Sequence, residues 1–185
     1  FTKKVKNPAK NVSKKDSRIT LCVQNGKRDV INEAFRVLRT NLEFMSGSEK
    51  CSRIVVTSFN VGSGKSFISL NLSAALSING KKTLLVDSDL RHHSISSIVG
   101  MPKLGLSDYL AGRLDNINDV IVKKKECETL DVLPIGTVPP NPSELISSKR
   151  RACGLSQAQL AEQTGLNRAT VSRIEQKTFT PSLAQ

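Results

Sequence analysis

Apolar residues along the chain recur at two spacings that take turns. Ala34, Val37, Leu38 and Leu42 fall at helical spacing and predict a helix over Asp29–Ser46. Arg53–Thr57 has the short unbroken apolar form of a buried strand. Ile68, Leu72, Ala75 and Leu76 then share one face of a helix predicted over Lys65–Asn79, and Gly80 supplies its C-terminal stop. Lys82–Val86 reads as a second strand and Leu130–Ile135 as a third, with short helices expected over Ser107–Ala111 and Ile117–Lys123. A Pro-rich turn follows at 139–142. Strands separated by helices predict an α/β class, with a parallel sheet covered on both faces. Beyond residue 146 the β-branched runs vanish, and Gln, Ala and Arg fill two helix-like pieces, as in a small all-α helix-turn-helix module. Three segments result: 1–28, 29–146 and 147–185.

Charge sharpens this division. The chain of 185 residues carries a formal net charge of +12, and the middle segment contributes none of it. Residues 1–28 hold nine Lys/Arg against one Asp, and residues 147–185 hold six against two Glu. The first segment therefore reads as a basic linker. Three roles stay open for it: a solvated tail, a juxtamembrane stretch lying on anionic lipid, or a nucleic-acid contact. No run approaches the roughly 20 apolar residues of a membrane span, and no apolar stretch follows the first lysines as in a secretory signal. The chain begins at Phe1 without an initiator Met, which suggests a piece of a longer protein. Cys22, Cys51, Cys127 and Cys153 form no CxxC pair, so no zinc site is expected, and isolated thiols suit a reducing cytoplasm. His92 and His93 are adjacent and read as surface residues rather than a metal pair.

The candidate chemistry begins at residues 58–66, which end in Gly62-Ser-Gly-Lys-Ser66 between a predicted strand and a predicted helix. That is the context of a P-loop. Glycines at 62 and 64 let successive backbone N–H groups approach phosphate oxygens, and the helix N-terminus adds its positive dipole end. The candidate ATP-binding residues are Val61, Gly62, Ser63, Gly64, Lys65, Ser66 and Phe67. Lys65 would neutralise the β/γ phosphates, and the Ser66 hydroxyl would reach Mg²⁺. Phe59 stands where the general pattern has its first glycine. Asp87 and Asp89 end the second strand, at the edge where parallel sheets bind ligands. Two carboxylates beside a nucleotide can hold Mg²⁺ or accept a hydroxyl proton. Lys65, Asp87 and Asp89 are thus the candidate catalytic residues, and Ser66, Asp87 and Asp89 the candidate Mg²⁺ ligands.

Five motifs occur in order: Glu33–Phe44, the 58–66 loop, Leu84–Arg91, Gly105–Leu110 and Leu133–Leu145. Together they resemble the cytoplasmic domain of bacterial tyrosine autokinases that control capsule and exopolysaccharide export, across roughly residues 20–148. The resemblance implies a MinD/ParA-like P-loop fold rather than a eukaryotic kinase fold. It implies ATP and Mg²⁺ as cofactors, and transfer of phosphate to protein tyrosine at the cytoplasmic face of the membrane. It implies a membrane-anchored polysaccharide co-polymerase region or partner. It also implies a homo-oligomer joined through the ExxRxxR residues Glu33, Arg36 and Arg39, whose spacing sets all three on one helix face. In the family one acid of the Asp87/Asp89 pair is the proposed base for the tyrosine hydroxyl and the other a metal ligand. The family's later strand with its own Asp, and its tyrosine-rich tail, have no counterpart here; Tyr109 is the single tyrosine. An incomplete sheet and impaired kinase activity are therefore expected.

Residues 149–175 carry a second pattern. Ser156 and Asn167 are placed to cap two helices, Gly165 permits the turn between them, and Leu160, Ala161, Leu166, Val171 and Ile174 would form their shared interior. This resembles a Cro/repressor-type DNA-binding domain over roughly residues 149–183. The resemblance implies that Arg168, Ala169, Thr170 and Arg173 face bases and Gln157 touches phosphate, while Lys149, Arg150 and Arg151 add non-specific attraction. Two alternatives to the kinase reading stay open: a DNA-binding transcriptional regulator, and a chimeric chain without joint function.

Overall fold

The computed structural model describes residues 19–45, 53–58, 60, 62–124 and 129–176. Helix α1 (Val30–Met45) opens the order, followed by α2 (Lys65–Ile78), β1 (Thr83–Val86), α3 (Leu106–Leu110), β2 (Val122–Lys123), β3 (Leu130–Leu133), α4 (Pro142–Ala152), α5 (Gln157–Thr164) and α6 (Arg168–Glu175). Single turns of 3-10 helix stand at Ser96–Val99 and Ile117–Val120. The sheet has the order β1-β3-β2, with β3 parallel to β1 in register Leu84 to Asp131 and antiparallel to β2. It is a small α/β layer with flanking helices, followed by the helix-turn-helix.

Leu70, Leu72, Ala74 and Ala75 of α2 bury against Leu85 of β1 and Leu130 and Val132 of β3. Phe35 of α1 closes the layer, its ring edge-on to Phe67 at 5.9 Å. Only a four-residue turn joins α2 to β1. The helix therefore runs back along the strand, and its N-terminus returns to the strand's carboxyl end.

Several expectations are corrected. The segment expected to be a solvated linker is packed from Ile19 onward, with Val23 buried. The buried Asn71 pins it: Oδ1 accepts the N–H groups of Cys22 (2.7 Å) and Val23 (3.0 Å), and Nδ2 donates to the carbonyl of Thr20 (3.1 Å). The lysine run before it lies outside the described residues. Helix α1 buries Asn32 and Phe35, while Ala34 and Val37 of the predicted face are exposed. Arg53–Thr57 forms no strand; Ile54 and Val55 stand half in solvent. A strand is fixed by its ladder partners, and among the described residues β1 has only β3 beside it. The last residues of the predicted Ile117–Lys123 helix instead form β2, whose antiparallel pairing makes the sheet mixed.

Candidate nucleotide site and helix-turn-helix

Gly64 caps α2 in the left-handed region at φ 82°, and Gly62 precedes it at φ 77°. A side chain at either position would strain the turn. The loop residues Gly62, Ser63 and Gly64 are exposed, and Lys65 and Ser66 are half-buried at the first turn of α2. Lys65 Nζ donates to Ser58 Oγ (2.9 Å) and to the carbonyl of Asn60 (3.2 Å). Ser63 Oγ also donates to that carbonyl, at 2.7 Å. The ammonium group is thereby held at the mouth of the loop. The Phe67 ring faces Phe35 and the core, so Phe67 has only its backbone to offer a ligand. Val61 and Phe59 lie outside the described residues.

At the carboxyl end of β1 the Asp87 N–H continues the ladder to the carbonyl of Leu133 (3.0 Å), which draws the side chain inward. Asp87 is 1% exposed. Its Oδ2 accepts the N–H (2.8 Å) and hydroxyl (2.6 Å) of Ser96, while Oδ1 is buried without a partner. Burial raises its pKa above the ordinary carboxylate value, with a smaller push from the Asp89 charge, against the pull of the Ser96 bonds and of the Asp89 backbone N–H. Ser96 Oγ also accepts the N–H of Ile135 (2.9 Å), so one serine ties the acid to the segment leaving β3. Asp89 is exposed; it accepts the N–H of Arg91 (3.2 Å) and faces His92 Nδ1 at 3.3 Å. The chain path sets Lys65 and Asp87 at the same edge of the sheet. Ser58 and Ser96 escape sequence reading, because no motif marks a serine seven residues before a lysine or nine after an aspartate.

The ExxRxxR residues do not form one free face. Glu33 and Arg36 pair at 2.6 Å, and Arg36 Nη2 reaches the carbonyl of Lys27 at 3.2 Å. Arg39 turns inward instead, donating from Nη1 to the carbonyl of Ala75 at 3.3 Å.

Both predicted caps of the second module form. Ser156 Oγ accepts the Gln159 N–H (3.1 Å), and Gln159 Oε1 accepts the Ser156 N–H (2.8 Å), a reciprocal capping box. Asn167 Oδ1 accepts the Thr170 N–H at 2.7 Å. Gly165 makes the turn at φ 67°, and Ala161 and Val171 are buried where α5 crosses α6. Arg168, Ala169 and Arg173 are exposed, with Thr170 half-buried among them.

One expectation fails here. Ile174 is 45% exposed, and Glu175 takes the buried place one turn after Val171. Glu175 is held there by Arg150 of α4, at 2.5 and 3.0 Å, and by Gln157 Nε2 at 2.9 Å. Arg150 and Gln157, the candidate phosphate contacts, thus each have a partner within the protein. The pairing with Arg150 lowers the Glu175 pKa and raises that of Arg150. Lys149 lies over the Tyr109 ring, 5.1 Å from its centroid.

A parallel strand leading to paired acids, beside a glycine-turned helix N-terminus bearing Lys and Ser, defines a P-loop nucleotide-binding protein. The chain matches the sequence profile described as AAA domain over residues 51–162, and it belongs to that family. Residues 146–185 match the profile described as Helix-turn-helix. Among relatives, it is 36% identical over 119 residues to the tyrosine-protein kinase YwqD of Bacillus subtilis, covering 64% of this chain and 49% of YwqD. It is 37% identical over 123 residues to the tyrosine-protein kinase wzc of Salmonella typhi, covering 66% of this chain and 17% of wzc. Among solved structures it resembles the kinase domain of the Escherichia coli tyrosine kinase ETK, with a TM-score of 0.58 and 37% identity, over 71% of this chain and 49% of that one. The crystal structure of the chimerical protein CapA2B2 gives a TM-score of 0.62 and 33% identity, over 83% of this chain and 73% of that one. The chain thus spans about half or less of the two curated kinases.

Proposed function

We propose that this chain binds Mg·ATP through its P-loop and serves phosphoryl transfer to protein tyrosine in capsule or exopolysaccharide export. The observation that carries the reading is the pairing of a held Lys65 with the buried, unpartnered Oδ1 of Asp87 at the edge where α2 begins. An orphaned carboxylate oxygen is costly when buried and is relieved by a cation. Asp87 and Ser66 would hold Mg²⁺, with phosphate oxygens and water completing its shell. Bound Mg²⁺ would spread the charge of the transferring phosphoryl group. Lys65 would move from Ser58 Oγ and the Asn60 carbonyl onto phosphate, and the exposed Asp89 is placed to take the proton of an incoming hydroxyl. Glu33 and Arg36 remain at the surface for a homo-oligomer contact. Among the described residues no helix is long and apolar enough to cross a membrane.

Calorimetric titration of Mg·ATP into the full chain tests this reading, with Lys65→Ala as control. Binding that the substitution abolishes is expected. A folded wild type that binds no nucleotide would leave only kinship with kinases.

A second reading has its own observation. Two formed caps and an exposed Arg168, Ala169 and Arg173 present α6 as a recognition helix. We propose DNA as its ligand, tested by salt-dependent binding of duplex to the wild type and to Arg168→Ala.

A further inference from the structure

The two proposed sites are not separate. Helix α4 packs on both α3 and α6. A cleft of about 200 Å³ lies where α6 meets the body, and it is lined by Asp89 and Arg91 from the acidic loop, Ile146 of α4, and Arg173 and Ile174 of α6. One loop therefore carries an acid of the nucleotide site and walls the helix proposed to read DNA. Arg53 makes a further bridge, its Nη1 donating to the carbonyl of Gln163 in α5 at 3.1 Å.

An α-helix with its side chains is about as wide as the major groove it enters, so the sugar–phosphate walls of DNA must run along both its flanks. On one flank of α6, beside the base-facing Arg173, that space already holds the Ser88–Arg91 loop. The cleft is far too small for a duplex backbone. The loop also presents the Asp89 carboxylate, the same sign of charge as the phosphate wall. Seating α6 on DNA thus requires the loop to draw back. Holding Mg·nucleotide fixes Asp87 at the end of β1, and the Ser88–Arg91 loop starts at the very next residue.

We propose that DNA and Mg·nucleotide bind this chain with negative coupling, transmitted by the Ser88–Arg91 loop between β1 and the α6 cleft. The inference rests on both readings above, and its test separates them.

Anisotropy of a labelled random-sequence duplex pool at low salt, with the full chain, is measured with and without saturating Mg·ADP. Mg·ADP is then titrated calorimetrically with and without the duplex. Duplex affinity is expected to fall about fivefold or more when Mg·ADP is present, and linkage requires Mg·ADP affinity to fall by the same factor. Ile174→Ala, which trims the cleft wall at an exposed position, should preserve each affinity alone and bring the factor toward one. If both ligands bind without affecting each other, the coupling is overturned; if Ile174→Ala keeps the full factor, its transmission through the α6 cleft is overturned; both binding readings stand in either case. Absence of duplex binding removes the DNA reading and the coupling together, and leaves the nucleotide reading intact. Absence of Mg·ADP binding does the converse.

Discussion

Asp87→Asn should make the metal-free protein more stable at neutral pH while abolishing its stabilisation by Mg·ATP. The sign follows from the structure. Asp87 is 1% exposed, with Oδ1 unpartnered, and burial outweighs the two Ser96 bonds in setting its raised pKa. A raised carboxylate pKa means that the native state binds the proton more tightly than the unfolded chain. Stability of the wild type then falls as pH rises from the unfolded value of 3.8 through the higher native one. Asparagine keeps a carbonyl for the N–H and hydroxyl of Ser96 and removes the charge. The amide NH2 then takes the unpartnered place of Oδ1, so the gain comes from removing a buried charge, whose burial costs more than that of an amide; weakening two charge-assisted hydrogen bonds offsets part of it, and a net gain of about 1 kcal/mol is expected. Urea unfolding of both proteins across a pH series measures the gap. It should be near zero in acid, open as pH rises, and reverse in saturating Mg·ATP. A variant less stable than the wild type at neutral pH without metal, with a gap independent of pH, would refute the argument that this carboxylate is strained for a cation.

Glu175→Ala should cost about 3 kcal/mol, because it leaves the Arg150 guanidinium without its anion at the α4–α6 contact; replacing both by apolar residues should recover most of that, read by denaturant melts. Since the native Glu175 pKa is lowered, its contribution is present above the unfolded value of 4.5 and is lost as pH falls through the native one, so amides of α5 and α6 should lose exchange protection in that acid range. Asn71→Ala should free residues 20–23 from α2 at a cost of about 2–3 kcal/mol, seen as faster hydrogen exchange at Cys22 and Val23. Asp29, whose Oδ1 accepts the Asn32 N–H and Nδ2 at the start of α1, should titrate at about 2 by carboxyl NMR, and Asp29→Ala should fray the first turn of that helix.

What the sequence disclosed divides by the range of the forces involved. The glycine turn before Lys65, the caps at Ser156 and Asn167 and the turn at Gly165 are set by residues within three or four positions of each other, and each formed as read. The Arg53–Thr57 strand was not decidable in this way, because its apolar run needs a neighbour to pair with, and among the described residues β1 faces β3 alone. The antiparallel turn of Val122–Lys123 depends likewise on the register with Val132 and Asp131. Glu175 could not be recognised as an interior residue without Arg150, 25 positions away, to neutralise it. Residues 19–24 were hidden by the lysines before them, although Ile19, Leu21 and Val23 alternate as an extended packed segment does.

The same distinction bears on whether the two halves act together. The two profile matches overlap over residues 146–162, so neither ends where the other begins. Helix α4 occupies the start of that overlap as one continuous element. Its Ser143 and Ile146 border the cleft against α6, while its last turn sets Lys149 over Tyr109 of α3 and carries Arg150 into the buried pair with Glu175. A flexible tether would let each module respond to its own ligand alone. A helix packed against both α3 and α6 instead links a displacement of α6 to the body, and the cleft beside Asp89 is where that displacement meets the nucleotide site. Coupling between the modules therefore follows from how α4 is packed, whatever origin brought the two sequences together.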